Sequence, residues 1–92
     1  MADDTVRARA VVRGRVQGVW FRQSTAEAAS RLGVHGWVRN RPDGSVEAVF
    51  EGSRASVERA LEYVAVGPQR AHVEQVETVW EPATGEGPFT VR

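Results

Sequence analysis

The chain has 92 residues, twelve basic and twelve acidic side chains, a hydrophobic share of 41%, a net charge of zero and no cysteine. This length and composition predict one small globular domain over residues 1–92, and the lack of cysteine excludes a disulfide framework, a thiolate nucleophile and a Cys-based metal site. All twelve basic residues are arginine, which excludes a P-loop lysine and Schiff-base chemistry.

The first half of the chain predicts a strand, a helix and a second strand. Residues 6–12 alternate in side-chain character, which is typical of a half-buried strand with arginines on its solvent side. A glycine-containing loop over residues 14–20 follows. From Phe21 the apolar spacing becomes helical, and Gly33 is placed to end that helix. Residues 34–40 form the second predicted strand.

A hairpin and a second helix come next. Residues 41–44, Arg-Pro-Asp-Gly, are typical of a tight turn, because proline presets φ and glycine accepts positive φ. Residues 46–51 alternate as a third strand. Ser53 is the expected N-cap of the second helix, which Gly67 and Pro68 end.

The last part of the chain predicts an irregular strand and a short terminal one. Val73 and Val76 fall out of period within the strand at residues 71–81, which predicts a bulge. Residues 82–88 form a loop, and residues 89–91 form a short last strand. The resulting order predicts an α+β fold, a ferredoxin-like βαββαβ sandwich. Its sheet is antiparallel-rich, carries two helices on one face and gains a short extra strand at the C-terminal end. This fold hosts many functions and identifies none of them.

The start of the chain, Met1-Ala2-Asp3-Asp4, is acidic and is not followed by an apolar run. A secretory signal is therefore not expected, and no stretch has the roughly 20 apolar residues that a membrane span needs. These features predict a soluble cytoplasmic protein. A monomer is the default expectation.

Most aromatic and histidine residues have structural interpretations. Core or sheet-face positions are expected for Trp37, Phe50 and Trp80. His35 and His72 are expected at the surface or half-buried rather than as ligands; two histidines cannot form a three-histidine zinc site, and the few scattered aspartates do not suit magnesium. Trp20 either lines the mouth of a pocket or packs on the first helix.

The loop at residues 14–20 is a candidate anion site. Successive backbone N–H groups can curl around an anion there, and the start of a helix adds unpaired donors and a favourable dipole. Arg22 lies in the first helical turn, where a cation is unfavourable without an anionic partner. Residues 7–41 hold eight arginines and one glutamate, a sum of +7, which favours a positive face. A plain connection with solvent-facing arginines explains the same residues.

Asn40 ends the second strand just before the turn. Its position alone favours an ordinary turn or capping residue over a functional one, because asparagine bonds its own backbone readily.

Two segments together resemble the signatures of the acylphosphatase family. Residues 14–22, Gly-Arg-Val-Gln-Gly-Val-Trp-Phe-Arg, resemble the first signature, in which Gly-x-Val-Gln-Gly-Val precedes an aromatic residue and an arginine. Residues 36–40, Gly-Trp-Val-Arg-Asn, with Gly44, Val46 and Gly52 after them, resemble the second. The similarity covers nearly the whole chain in the right order.

The resemblance implies hydrolysis of acyl phosphates to carboxylate and phosphate with no metal or organic cofactor. It also implies that Arg22 clamps the phosphoryl oxygens and that Asn40 positions the attacking water. The phosphate-binding loop it implies acts through backbone amides and consists of Arg15, Val16, Gln17, Gly18, Val19 and Trp20. Inorganic phosphate is then the product and an expected competitive inhibitor.

The chemistry of phosphoryl transfer agrees with these residues. The reaction needs positioning and charge stabilisation more than covalent help, and an arginine fork with backbone donors supplies both. Neither signature carries an obvious base, so we expect the water proton to pass to the substrate's phosphate or to bulk solvent.

Three other functions share this element order. A carbamoyl-phosphate-handling domain of the kind that opens hydrogenase-maturation carbamoyltransferases is one, and the missing zinc-finger cysteines disfavour it. An RNA-binding sheet needs aromatic and basic residues on its third strand, whereas residues 46–51 carry two acids and one aromatic. A small-molecule regulatory domain leaves Arg22 and Asn40 without a role. No nucleic acid or membrane partner is expected.

Overall fold

The computed structural model describes residues 4–92, so the first three residues of the predicted domain, including most of its acidic start, lie outside the described part. Five strands and two helices follow one another along the chain: β1 (Thr5–Arg15), α1 (Phe21–Arg31), β2 (His35–Asn40), β3 (Val46–Ser53), α2 (Arg54–Val66), β4 (His72–Glu81) and β5 (Thr90–Val91). This order confirms the predicted βαββαβ arrangement with a short extra strand.

The strands form one sheet in the order β4-β1-β3-β2-β5. Every pair among the first four is antiparallel, whereas β5 runs parallel to β2, with Trp37 beside Thr90 and Val38 beside Val91. The helices contact each other and lie on one face of the sheet. The structure therefore has the predicted α+β, ferredoxin-like fold.

The core lies between the helices and one face of the sheet. Alternate residues of β1 point into it, with Ala8, Ala10 and Val12 fully buried as the sequence pattern predicts. Phe50 on β3 is also fully buried and stacks on Phe89, with ring centroids 5.7 Å apart. Trp80 lies on β4 at the sheet edge and stays 43% exposed, so it is a sheet-face residue and not part of the core.

Strand β1 runs three residues further than its alternation predicts. Arg13 pairs with Gln75 but Gly14 pairs with Val73, so Glu74 is the extra residue of a bulge in β4, as predicted. A Cβ on Gly14 would lie 2.2 Å from the main-chain oxygen of His72. Gly14 is therefore needed for close strand approach, and not, as its place in the sequence suggests, to shape the loop.

Helix α2 begins and ends at the residues that the sequence predicts. The Ser53 side chain accepts a hydrogen bond from the Ser56 N–H at 3.3 Å, which confirms it as the N-cap, and Gly67 ends the helix with φ of 76°. Across residues 4–92 no helix is long and apolar enough to cross a membrane.

The face of the sheet away from the helices carries a buried ionic cluster. Arg7, predicted on the solvent side of β1, is only 7% exposed, because the segment between β4 and β5 folds over it. Its guanidinium contacts three carboxylates, those of Glu51 at 3.3 Å, Glu81 at 2.9 Å and Glu86 at 2.8 Å. A single cation thus joins β1, β3, β4 and the last segment of the chain.

Glu51 anchors that last segment. Its carboxylate accepts backbone N–H bonds from Thr84, Gly85 and Glu86, each 2.8 Å long. Burial opposes the charged form of this carboxyl, but the three N–H donors and Arg7 outweigh burial and lower its pKa to about 2. The segment at residues 82–88 is held against the sheet in this way, and it leads directly into Phe89 and β5.

We expect Glu51→Gln to destabilise the fold most strongly near neutral pH. A carboxyl whose pKa is lowered from 4.5 to about 2 contributes stability that is present above pH 4.5 and is lost as the pH falls toward 2. A shift of this size corresponds to about 3 kcal/mol. Urea unfolding between pH 2 and 7 should show the difference between wild type and variant shrinking as the pH falls.

The matched control is Glu58→Gln. Glu58 is an exposed glutamate on α2, 3.6 Å from Arg54 in an i,i+4 pair, so its loss should cost under about 0.5 kcal/mol. A wild-type-to-Glu51→Gln difference that stays constant from pH 7 to pH 2 would contradict the role given to the Glu51 carboxylate.

Candidate active site

A pocket of about 320 Å³ lies where four elements meet: the loop after β1, the start of α1, the end of β2, and β5. Its lining residues are Val16, Gly18, Trp20, Phe21, Arg22, Gln23, Asn40 and Val91. Five of the eight residues predicted for the site are in this lining. A larger groove between the two helices holds none of the predicted residues, and four of its eight lining residues are charged.

Three of the predicted loop residues do not line the pocket. Arg15 is the last residue of β1, is exposed and pairs with His72. Val19 packs against the hydrophobic core. The side chain of Gln17 is used elsewhere, on the turn between β2 and β3.

Sequence reasoning missed three lining residues. Phe21 begins the apolar helical spacing and is 2% exposed, yet it also borders the pocket. Gln23 follows Arg22 in the first turn of α1, and this neighbourhood in the sequence is a signal that could have identified it. Val91 lies on β5, and its approach to the pocket depends on the parallel pairing with β2, which no local pattern reveals.

The loop reaches the helix through two left-handed residues. Gly18 has φ of 74°, and a Cβ added to it would meet no other atom. Glycine is therefore favoured here by its backbone conformation and not by lack of space. Trp20, the N-cap of α1, has φ of 69° and is the one non-glycine residue with positive φ among residues 4–92. No side chain caps α1, and its first turn has no acidic residue. The start of this helix is therefore not neutralised by the chain's own side chains.

Gln17 ties the loop to the turn that follows Asn40. Its side-chain Nε2 donates to the main-chain oxygens of Arg41 and Ser45, both at 2.8 Å. The same turn is closed by the Arg41 N–H, which donates to the Ser45 oxygen at 2.9 Å. One side-chain amide thus connects the loop to the turn that follows β2.

Asn40 is half-buried, and its side-chain oxygen, Oδ1, is fully buried. This atom accepts no hydrogen bond from any protein group in the described part of the chain. Thr25 Oγ1 is the other buried side-chain atom there that has no protein partner. Buried polar atoms are paired in the great majority of cases, and those that are not require an explanation. Asn40 therefore is not the self-capping turn residue that its sequence position also allowed.

Arg22 lies in the first turn of α1 and is half-exposed. Its Nη1 donates to the main-chain oxygen of Arg92 at 2.9 Å. No Asp or Glu side chain among residues 4–92 forms an ion pair with it, whereas Arg7, Arg9 and several other arginines have such partners. The guanidinium beside the pocket therefore keeps its charge uncompensated by side chains.

The two histidines lie outside the site. His35 and His72 are exposed strand residues, as predicted, and His35 Nδ1 contacts the Glu86 main-chain oxygen at 2.9 Å. Within the described residues no three His, Asp or Glu side chains are grouped as a metal ion requires.

Comparisons with known proteins agree with this architecture. The family model described as acylphosphatase matches residues 8–91. A curated acylphosphatase of Anaeromyxobacter dehalogenans is 56% identical over 90 residues, which cover 97% of each chain. One from Rubrobacter xylanophilus is 57% identical over 84 residues, which cover 91% of this chain and 76% of the relative. The solved structure of an acylphosphatase from Coxiella burnetii superposes with a TM-score of 0.92 at 35% identity, covering 97% of this chain and 94% of that one.

These matches confirm the resemblance drawn from residues 14–22 and 36–40, and they extend it over the whole fold. The chain belongs to the acylphosphatase family, hydrolases that act on acyl phosphates.

Proposed function

We propose that this protein hydrolyses acyl phosphates by in-line attack of a water molecule that Asn40 positions. The phosphoryl group is held by Arg22 and by backbone N–H groups of residues 15–20. The observation that carries the proposal is the presence in one pocket of a guanidinium without a side-chain carboxylate partner and a buried amide oxygen without a protein donor.

The amide oxygen of Asn40 suits the nucleophile. An acceptor in this position takes one hydrogen of a water molecule and leaves a lone pair of that water free for phosphorus. The new bond joins the water oxygen to phosphorus, and the bond between phosphorus and the acyl oxygen breaks to release carboxylate. An amide is not a base at neutral pH, so the water proton goes to a phosphate oxygen or to bulk solvent.

Arg22 suits the phosphoryl group. Its planar fork has N–H donors beyond the one that contacts Arg92, and bidentate contacts to phosphate are among the strong charge-assisted hydrogen bonds. An anion in the pocket would also supply the partner that a cation in the first turn of a helix lacks. The local mismatch in α1 is therefore relieved by the substrate.

The backbone between β1 and α1 supports the same assignment. The left-handed residues Gly18 and Trp20 give the loop the kind of alternation that gathers N–H groups into an anion-binding concavity, and the unneutralised start of α1 follows directly. Donors of this kind are held in place before the reaction, so no reorganisation is needed as charge develops on the phosphoryl oxygens.

The remaining expectations form part of the same proposal. Residues 1–92 are one domain that acts as a cytoplasmic monomer, without metal or organic cofactor, on small acyl phosphates. Inorganic phosphate competes with the substrate for the pocket. The face of the sheet away from the helices argues against an RNA-binding function. There Glu47 pairs with Arg9 and Arg39, and the segment at residues 82–88 covers Glu51. That face offers no open aromatic platform for bases.

Asn40→Ala should lower kcat for benzoyl phosphate by roughly 100- to 1,000-fold, because the water loses its orienting acceptor. The inhibition constant of inorganic phosphate should change less than about threefold, since phosphate contacts lie on other residues. The assay follows the ultraviolet loss of benzoyl phosphate with EDTA present throughout. Wild-type turnover in the variant would remove the role given to Asn40.

Arg22→Ala should weaken phosphate inhibition and lower kcat together, because the guanidinium contacts the phosphoryl group before and during the reaction. Arg59→Ala is the matched control, an exposed arginine on α2 outside this pocket. Equal effects of the two substitutions would show that general positive charge, not the Arg22 fork, attracts the anion.

Gln17→Glu should lower kcat/KM by about tenfold or more at pH 7 and above, because a carboxylate cannot donate to the oxygens of Arg41 and Ser45. The two main-chain oxygens repel a carboxylate, so they favour the protonated form of the new glutamate side chain. Its O–H group can donate one of the two hydrogen bonds that the glutamine made. The activity of the variant relative to wild type should therefore rise as the pH falls toward 5.

The control is Gln75→Glu. Gln75 is an exposed residue of β4 that pairs with Arg13 and lies outside the pocket. Its activity relative to wild type should stay near one at every pH. A Gln17→Glu ratio that does not change with pH would show that the side-chain amide does not set the position of the loop.

A further inference from the structure

The pocket has an apolar part that the reaction at phosphorus does not use. Four of its lining residues are apolar, and two of these, Val16 and Phe21, are core residues with 0% and 2% exposure. The other two, Trp20 and Val91, are 66% and 40% exposed. An indole and a branched aliphatic side chain from distant parts of the sequence therefore meet solvent at the same pocket.

This concentration of exposed apolar side chains is particular to the pocket. Across residues 4–92 the exposed large hydrophobic residues are Trp20, Val66, Val79, Trp80 and Val91. Two of these five line the pocket that contains Arg22 and Asn40. Apolar side chains at the rim of a polar cleft are typical of a surface that a ligand covers.

Trp20 is not explained by packing. An exposure of 66% rules out the interpretation that its indole packs on α1, which the sequence had left open. Its left-handed backbone is unfavourable for any residue with a Cβ, and more so for a bulky one. The position thus carries a large side chain at a conformational cost without any gain in core burial.

We propose that the rim formed by Trp20 and Val91 contacts the acyl group, and that the enzyme therefore prefers acyl phosphates with an aromatic or extended apolar acyl group. The proposal rests on the proposed function, since it assumes that the phosphoryl group lies at Arg22. In-line attack sends the leaving carboxylate away from the water that Asn40 holds. With the polar lining occupied by phosphate and water, the apolar lining is left for the acyl group.

The contact is made in the bound substrate and persists in the transition state. Such an interaction lowers KM and raises kcat/KM while leaving kcat nearly unchanged. An acetyl group is too small to cover an indole, whereas a benzoyl group can stack on it in an offset or edge-to-face arrangement. The preference should therefore appear as a difference between benzoyl and acetyl phosphate.

The experiment measures kcat/KM for benzoyl phosphate and for acetyl phosphate with wild type, Trp20→Ala and Trp80→Ala. The benzoyl-to-acetyl ratio of each variant is compared with that of wild type, so the intrinsic reactivities of the two substrates cancel. Trp20→Ala should lower this ratio roughly tenfold through a higher KM for benzoyl phosphate. Trp80→Ala removes an exposed tryptophan outside the pocket and should leave the ratio unchanged.

Two further variants separate the side chain from the backbone. Trp20→Gly removes the indole and also accepts the positive φ, so it should show the same loss of ratio even if alanine disturbs the loop. Trp20→Phe keeps an aromatic face and should retain most of the preference.

Each result has a distinct meaning. A benzoyl-to-acetyl ratio that stays unchanged in both Trp20→Ala and Trp20→Gly, including the case in which kcat/KM falls equally for the two substrates, would overturn the acyl-group contact. Hydrolysis of acetyl phosphate would in that case still support the proposed function. Failure of folded wild-type protein to hydrolyse either substrate would overturn the proposed function itself.

Discussion

The buried carboxylate of Glu51 is the interaction on which the rest of this small structure depends. It is one of the three carboxylates that contact Arg7, and it accepts three backbone N–H bonds from residues 84–86. The same segment is also held by the Arg7–Glu86 ion pair, by the Gly36 N–H bond to the Gly87 oxygen and by the stacking of Phe89 on Phe50. Through this segment the cluster also reaches the pocket, because Val91 lines it and the Arg92 main-chain oxygen contacts Arg22.

The pocket itself is assembled from pieces that are each fixed by a neighbour. Gln17 links the loop to the turn after Asn40, and β5, which pairs with β2, adds Val91 to the pocket lining. Phosphoryl transfer depends on placing donors and a nucleophile within fractions of an ångström. In this structure the two hydrogen bonds of the Gln17 side chain join the loop to the turn.

The pocket holds two polar groups that have no side-chain partner in the described part of the chain. Arg7, Arg9, Arg13 and Arg39 all have carboxylate partners, whereas Arg22 has only a main-chain oxygen. Asn40 Oδ1 is buried without a donor, and Trp20 is both exposed and left-handed. The proposed binding of an acyl phosphate accounts for all three features together. Such departures from local rules are characteristic of functional sites.

The sequence by itself determined the order of strands and helices, the Ser53 and Gly67 helix ends, the bulge near Glu74 and the two signature segments, because periodicity, capping and turn chemistry are local. It also pointed to Arg22 and Asn40. Only the tertiary structure decided that Arg7 is buried, that Gln17 serves the turn rather than the pocket, and that Val91 joins the lining. Those outcomes depend on contacts between residues 24 to 79 positions apart, and such contacts arise from sheet register and loop docking rather than from any pattern along the chain.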